Sequence, residues 1–110
     1  MSEDMQGLEL VSFQIIASVG EARSCYITAI DAAAEGDFEK AAENIKAGKE
    51  AFIGGHDAHA GLLTKMANGE MPAMDLLLTH AEDQLMSAEA FGILAERFVT
   101  LYKKLYKVEE

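Results

Sequence analysis

The chain has 110 residues, half of them hydrophobic, and a net charge of −10, which predicts one domain whose apolar surface is partly covered by other subunits. The negative charge disfavours binding to nucleic acid or anionic lipid, because it repels phosphate groups. Cys25 is the only cysteine, so no disulfide forms within the chain. Neither a leader nor an apolar run of roughly 18 residues is seen. These features predict a cytoplasmic protein that does not insert into membranes.

Apolar residues recur at helical spacing along three segments without any period of two, so an all-α fold is predicted. The first predicted helix covers about residues 5–35. It ends at Gly36, which suits the left-handed position after a helix, and Asp37 suits the N-cap of the next helix. A helix stop followed directly by a helix start predicts a tight antiparallel hairpin.

The second predicted helix covers about residues 38–67. Gly54 and Gly55 lie inside it, and each is expected to weaken the helix by about 1 kcal/mol relative to alanine. Asn68 and Gly69 supply the signal that ends it.

The third predicted helix covers about residues 72–107, because Pro72 is suited to a first helical turn. Its apolar residues form two adjacent heptad seams, which predict two interfaces. We expect the first seam to pack on the chain's own hairpin and the second on another copy, giving an antiparallel three-helix bundle that associates as an oligomer through helix three. The first seam consists of Leu78, Ala81, Leu85, Ala88, Gly92, Ala95, Val99, Tyr102 and Tyr106, and the second of Leu76, His80, Asp83, Ser87, Ala90, Leu94, Phe98, Leu101 and Leu105.

Two polar residues interrupt the second seam. His80 and Asp83 are three residues apart and therefore share a helix face, as do His56 and His59 on helix two. A carboxylate buried without a partner costs several kcal/mol, so Asp83 is expected to be protonated, paired with a cation or bound to metal.

These four residues are compatible with three classes of function. A histidine on a helix can relay a phosphoryl group, the four side chains together can bind a metal ion, or the polar residues can be part of a purely structural oligomer. The metal reading is weakened because bundle di-iron sites use a Glu-x-x-His pattern, and no glutamate stands three positions before His59 or His80.

One stretch resembles a known family. "LLLTHAEDQLM", residues 76–86, is similar to the active-site stretch of enzyme IIA proteins of the lactose/cellobiose (diacetylchitobiose) class of the bacterial sugar phosphotransferase system, where the usual pattern is close to HAQDHLM. The resemblance extends over almost the whole chain. It includes "IIASVGEARSCYITAI", "GDFEKAAENI", "GHDAHAGLLTK" and "LAERFVTLYKKL".

The resemblance implies a three-helix bundle that forms a homotrimer and a single enzyme IIA domain over residues 1–110. It implies that His80 is phosphorylated on Nε2 by the phosphocarrier protein HPr and donates the phosphoryl group to a cysteine of enzyme IIB, during uptake of a β-linked disaccharide. It also implies that three copies of Asp83 bind a divalent cation, expected to be Mg²⁺, near the trimer axis; no organic cofactor is expected. Carboxylate oxygens suit such a hard cation.

The chain departs from the family pattern at three positions. Gln84 stands where many relatives have a second histidine, His59 where a glutamine is expected, and Glu82 in place of another glutamine. Gln84, His59 and Glu82 are therefore expected to alter hydrogen bonding around the phosphoryl group. His56 matches a family histidine and is a further candidate to line the site.

The surroundings of His80 are acidic. No lysine or arginine lies within two turns of it, and a helix starting at Pro72 would place its positive end roughly 12 Å away. We therefore expect a partner protein or a neighbouring subunit to offset the charge of the phosphoryl group.

Overall fold

The computed structural model describes residues 3–70 and 74–108, with side chains from residue 7 onward, and this part of the chain forms three helices and no strand. Helix α1 spans Glu3–Ala34, α2 spans Phe38–Ala67 and α3 spans Leu76–Leu105. The predicted all-α fold is confirmed. Over the described residues, none of the three helices combines the length and the apolarity that crossing a bilayer requires.

The turn between α1 and α2 follows its sequence signals. Gly36 has a φ of 85°, a left-handed conformation in which glycine avoids a Cβ clash. The Gly36 N–H donates to the Ala33 carbonyl at 3.0 Å and the Asp37 N–H to the Ala32 carbonyl at 2.9 Å, which is the Schellman arrangement. The Asp37 side chain then accepts the Lys40 N–H at 3.1 Å and caps α2. The predicted roles of Gly36 and Asp37 are confirmed.

The connection between α2 and α3 differs from the prediction at one end. Gly69 has a φ of 83° after the last residue of α2, as expected for a helix stop. Helix α3 begins at Leu76, four residues later than predicted, and Pro72 lies outside the described residues. The start is set by Asp75, whose extended backbone and side chain, accepting the Leu78 N–H at 2.7 Å, form an N-cap.

The core shows how the helices run. At one end of the bundle, Ile15 of α1 packs with Leu62 of α2 and Leu78 of α3. At the other end, Ala33 of α1 packs with Val99 of α3. Helices α1 and α3 therefore run in the same direction and α2 runs against both, which confirms the antiparallel hairpin.

The two seams of α3 have opposite environments in the single chain. Every first-seam residue from Leu78 to Val99 is buried, so the prediction that this seam packs on the chain's own hairpin is confirmed. In the second seam Ser87 is half-buried and all other residues are exposed. Leu76 and Leu105 are 86% and 67% exposed, respectively. Among the residues that the structure describes, the second seam is thus an apolar face without a partner inside one chain.

Glycines allow the helices to approach closely around Tyr26 and Val19. A Cβ built on Gly48 would lie 2.5 Å from Cε1 of Tyr26, and one built on Gly92 would lie 2.9 Å from its Cζ. Tyr26 is 4% exposed, and this burial raises the pKa of its phenol. A Cβ on Gly55 would lie 2.8 Å from Cγ1 of Val19. Gly55 therefore leaves room for Val19, which offsets the low helix propensity of glycine. Helix α2 continues through this position.

Candidate functional site

His80 lies on the exposed side of α3, in its second turn. Because the helix begins at Leu76, His80 is about 6 Å along the axis from the first helical residue, about half the distance expected from a start at Pro72. The positive end of the helix is therefore closer to His80 than predicted. The carboxylate of Asp75, which caps this end, already offsets part of that partial charge.

Asp83 is also exposed in the single chain. Its carboxylate is therefore solvated, and the cost of burying it arises only if another molecule covers the second seam. Since Asp83 follows His80 by three residues on the same helix, the two side chains leave the same face about one turn apart.

His59 lies on the other side of α3. Its Nε2 is 3.0 Å from Oε1 of Glu82, in a half-buried contact between α2 and α3. Glu82 follows His80 by two residues, which is a rotation of about 200° around the helix axis. Within one chain, His59 therefore contacts the face of α3 opposite to His80.

His56 is likewise separate from His80 within the chain. Its side chain is 62% exposed, with Nδ1 3.9 Å from a carboxylate oxygen of Asp57. Its ring lies 6.0 Å from that of Phe52, centroid to centroid, on the same helix. Within one chain, His56 and His59 therefore lie on α2 away from His80. Any role for them beside His80 requires another subunit or a partner protein.

The four-residue metal site is not supported within one chain. Across the described part of the chain, no group of three or more His, Cys, Asp or Glu side chains is placed to hold a metal ion. The reason is the angle at which the side chains project around the axis of α3. His59 contacts one side of this helix, whereas His80 and Asp83 project from the other side.

Gln84 connects helix α1 to the side of α3 on which His80 lies. Nη1 of Arg23 donates a hydrogen bond to Oε1 of Gln84, and both side chains are partly buried. Gln84 follows His80 by four residues, a rotation of only about 40°, so the two are neighbours on one face. The amide at position 84 therefore holds an arginine from another helix one turn away from His80.

No local sequence pattern predicts the contact between Arg23 and Gln84, because it joins residues that are 61 positions apart. A compositional signal was available. Arg23 is the only lysine or arginine in α1, and residues 66–96, which surround His80, contain neither. A single cation in α1 and a stretch from the end of α2 into α3 that has acidic residues but no lysine or arginine favour a contact between the two.

Comparison with known proteins shows consistent similarity over most of the chain. The sequence profile described as "PTS system, Lactose/Cellobiose specific IIA subunit" matches residues 10–103. The oligo-beta-mannoside-specific EIIA component of Bacillus subtilis is 38% identical over 86% of this chain and 86% of its own length. The lactose-specific EIIA component of Staphylococcus epidermidis is 33% identical over 88% of this chain and 93% of its own length.

The fold is also similar to solved structures. The crystal structure of the PTS cellobiose-specific enzyme IIA from Bacillus anthracis superposes with a TM-score of 0.89 and 36% sequence identity, over 97% of this chain and 94% of that chain. PtcA from S. mutans gives a TM-score of 0.88 with 28% identity, over 94% of this chain and 99% of that chain.

Proposed function

The chain belongs to the family of lactose/cellobiose-specific IIA subunits of the sugar phosphotransferase system, whose members are phosphotransferase relay proteins, and from this premise we propose that it is a cytoplasmic phosphoryl carrier. It accepts a phosphoryl group from phosphorylated HPr on His80 and donates it to a cysteine of enzyme IIB. The observation that carries this proposal is the exposed His80 on α3, within a family match that extends over residues 10–103.

The chemistry requires little more than an accessible neutral imidazole. With the proton on Nδ1, Nε2 of His80 has a lone pair that attacks phosphorus in line, and the bond from phosphorus to its donor atom on HPr breaks as the bond to Nε2 forms. In the second transfer the thiolate of the enzyme IIB cysteine attacks, and the bond from phosphorus to Nε2 breaks. His80 is exposed in the single chain and lies near the N-terminal end of the second seam. Both steps require it to stay accessible in the assembly, because two different proteins must reach the same nitrogen in turn.

The transported sugar is a β-linked disaccharide in this proposal. The similar proteins are named for lactose, oligo-beta-mannoside and cellobiose. The sugar itself is bound by the membrane component, so the carrier needs to recognise only proteins.

A direct test of the proposed function uses purified proteins. The chain is incubated with phosphoenolpyruvate, enzyme I and HPr, and its intact mass is measured before and after addition of enzyme IIB. We expect a gain of one phosphoryl group per chain that depends on HPr and disappears when enzyme IIB is added. No gain, in a mixture that phosphorylates another enzyme IIA of this family, would favour a purely structural oligomer.

The active assembly in this proposal is a homotrimer held together by the second seam. A large apolar face is costly to leave in water, and three copies packed around helix three would cover it. The exposure of this seam in the single chain supports such an assembly. Its exposed apolar members are Leu76, Ala90, Leu94, Phe98, Leu101 and Leu105.

Asp83 is proposed to bind a divalent cation, Mg²⁺, together with its two symmetry copies. One carboxylate per chain on an exposed seam fits this role, since three copies around one axis would supply a set of hard oxygen donors. The cation would neutralise carboxylates that otherwise repel one another.

An Asp83→Leu variant is expected to keep its helicity and to form a tighter trimer than wild type in EDTA. The substitution removes the repulsion between three carboxylates and adds apolar surface to the second seam, so we expect the dissociation constant to fall about tenfold or more. Sedimentation equilibrium with EDTA and with Mg²⁺ measures this effect.

Asp57→Leu is the matched control, because Asp57 is an exposed carboxylate on α2. It should leave the association unchanged. An Asp83→Leu trimer that is weaker than wild type in EDTA would show that the carboxylates do not repel one another at a shared axis.

A further inference from the structure

We propose that Arg23 of α1 is the cation that binds the phosphoryl group on phosphorylated His80, held in place by Gln84. This inference rests on the proposed function, since it requires that His80 carry the phosphoryl group. It assigns to the chain itself the positive charge that the sequence alone led us to expect from a partner protein or a neighbouring subunit.

The electrostatic need is large at this place in the molecule. Residues 66–96 contain six acidic residues and no lysine or arginine, and the chain as a whole has a net charge of −10. A phosphoryl group adds about two further negative charges. Together with the Asp75 cap, these charges favour the unphosphorylated state unless a cation lies close by.

The geometry places Arg23 on the correct side of α3. Its Nη1 donates to Gln84, one turn after His80 and about 40° around the axis. Helices α1 and α3 run in the same direction, and helix side chains lean toward the N-terminal end. The long Arg23 side chain therefore reaches back along α3 to the Gln84 amide, and its guanidinium lies about one turn from His80 on the same side of the helix.

Arg23 has enough N–H donors to bind both Gln84 and a phosphoryl group. A guanidinium has five N–H donors, and the bond to Gln84 uses one of them. The remaining donors have the planar geometry that matches phosphoryl oxygens. Because the oxygen of the Gln84 amide accepts from Arg23, the amide fixes the position of the cation without competing for the phosphoryl group.

The test measures the equilibrium of phosphoryl transfer between HPr and the full-length protein. Phosphorylated HPr and each variant are mixed at fixed ratios with no enzyme IIB, and the phosphorylated fractions are read by intact mass. An equilibrium constant does not depend on how tightly HPr docks, so it reports only on the phosphoryl group and its surroundings. We expect Arg23→Gln, which keeps a hydrogen-bonding side chain but no charge, to lower the constant about tenfold, the typical effect of one charge-assisted hydrogen bond.

Two further variants separate the charge from the structure. Arg23→Lys should recover part of the loss, because it retains the charge without the planar fork. Arg97→Ala, which removes an exposed arginine of α3 far along the helix from His80, should leave the constant unchanged. The difference between wild type and Arg23→Gln should also shrink at high salt, which a merely structural tether would not produce.

Thermal unfolding and sedimentation show whether each variant retains its fold and its assembly. If the wild type is phosphorylated but Arg23→Gln has the wild-type constant, or if Lys and Gln lower it equally, Arg23 is only a tether between helices and the inference is wrong. If the wild type accepts no phosphoryl group, the proposed function fails instead. The two failures are therefore distinguishable.

Discussion

A His80→Ala variant is expected to gain no phosphoryl group from phosphoenolpyruvate, enzyme I and HPr, whereas the wild-type chain gains one. Alanine lacks the nitrogen that would form the bond to phosphorus, and no other group of the site can replace it in a relay that depends on one nucleophile. The loss is therefore complete, and intact mass measures it directly. His80 is exposed, so the substitution removes no core contact and should leave the fold intact.

His56→Ala and His59→Ala are the matched controls, because these are the only other histidines of the chain. Within one chain neither lies beside His80: His56 is near Asp57, and His59 contacts Glu82. Both variants should still gain one phosphoryl group, and any slower rate would indicate that a neighbouring subunit or HPr brings one of them close. A mass gain that persists in His80→Ala would assign the phosphorylated residue elsewhere.

A Gly48→Ala variant is expected to lose about 1–3 kcal/mol of unfolding free energy, the usual cost of inserting a methyl group into a well-packed core. The new Cβ would lie 2.5 Å from Cε1 of Tyr26, a distance that forces the ring or a helix to move. Tyr26 cannot move freely, because Gly92 lies against the same ring. The clash opposes the gain of about 1 kcal/mol that alanine normally brings to a helix, and urea unfolding measures the net effect.

Gly61→Ala is the control within the same helix. A Cβ at Gly61 meets nothing within 4 Å, so this variant should be more stable than wild type by up to about 1 kcal/mol. Shortening the partner, with Tyr26→Leu in the Gly48→Ala background, should cost less than the two separate losses combined, because each substitution relieves the other. Equal stability of Gly48→Ala and Gly61→Ala would show that the helices around Tyr26 adjust without strain.

Local chemistry explains the features that the sequence predicted correctly. Gly36 and Gly69 end their helices because a left-handed residue satisfies the last carbonyl groups at no steric cost. The burial of the first seam follows from its heptad spacing, which places all its members on one stripe of the helix. In each case the relevant residues are neighbours in the chain or on one helix face.

The predicted start of α3 is wrong because two local signals compete. Pro72 is suited to a first helical turn and Asp75 to an N-cap, and propensity does not rank them. The structure shows Asp75 as the cap. A start at Leu76 rather than at Pro72 roughly halves the distance along the helix between His80 and the first helical residue. The positive end of the helix is therefore closer to His80.

The sequence by itself determined the three helices, their stops, the two seams and, through its resemblance to a family, the proposal that His80 is the phosphorylated residue. Only the tertiary structure decided which helix borders which side of His80: α1 brings Arg23 to Gln84, and α2 brings His59 to Glu82 on the opposite side. The physical reason is that periodicity sets angles within one helix, whereas contacts between helices depend on how far each is rotated and shifted when it packs. Those two quantities are settled by the whole core, including the glycines that let Tyr26 fit between the helices.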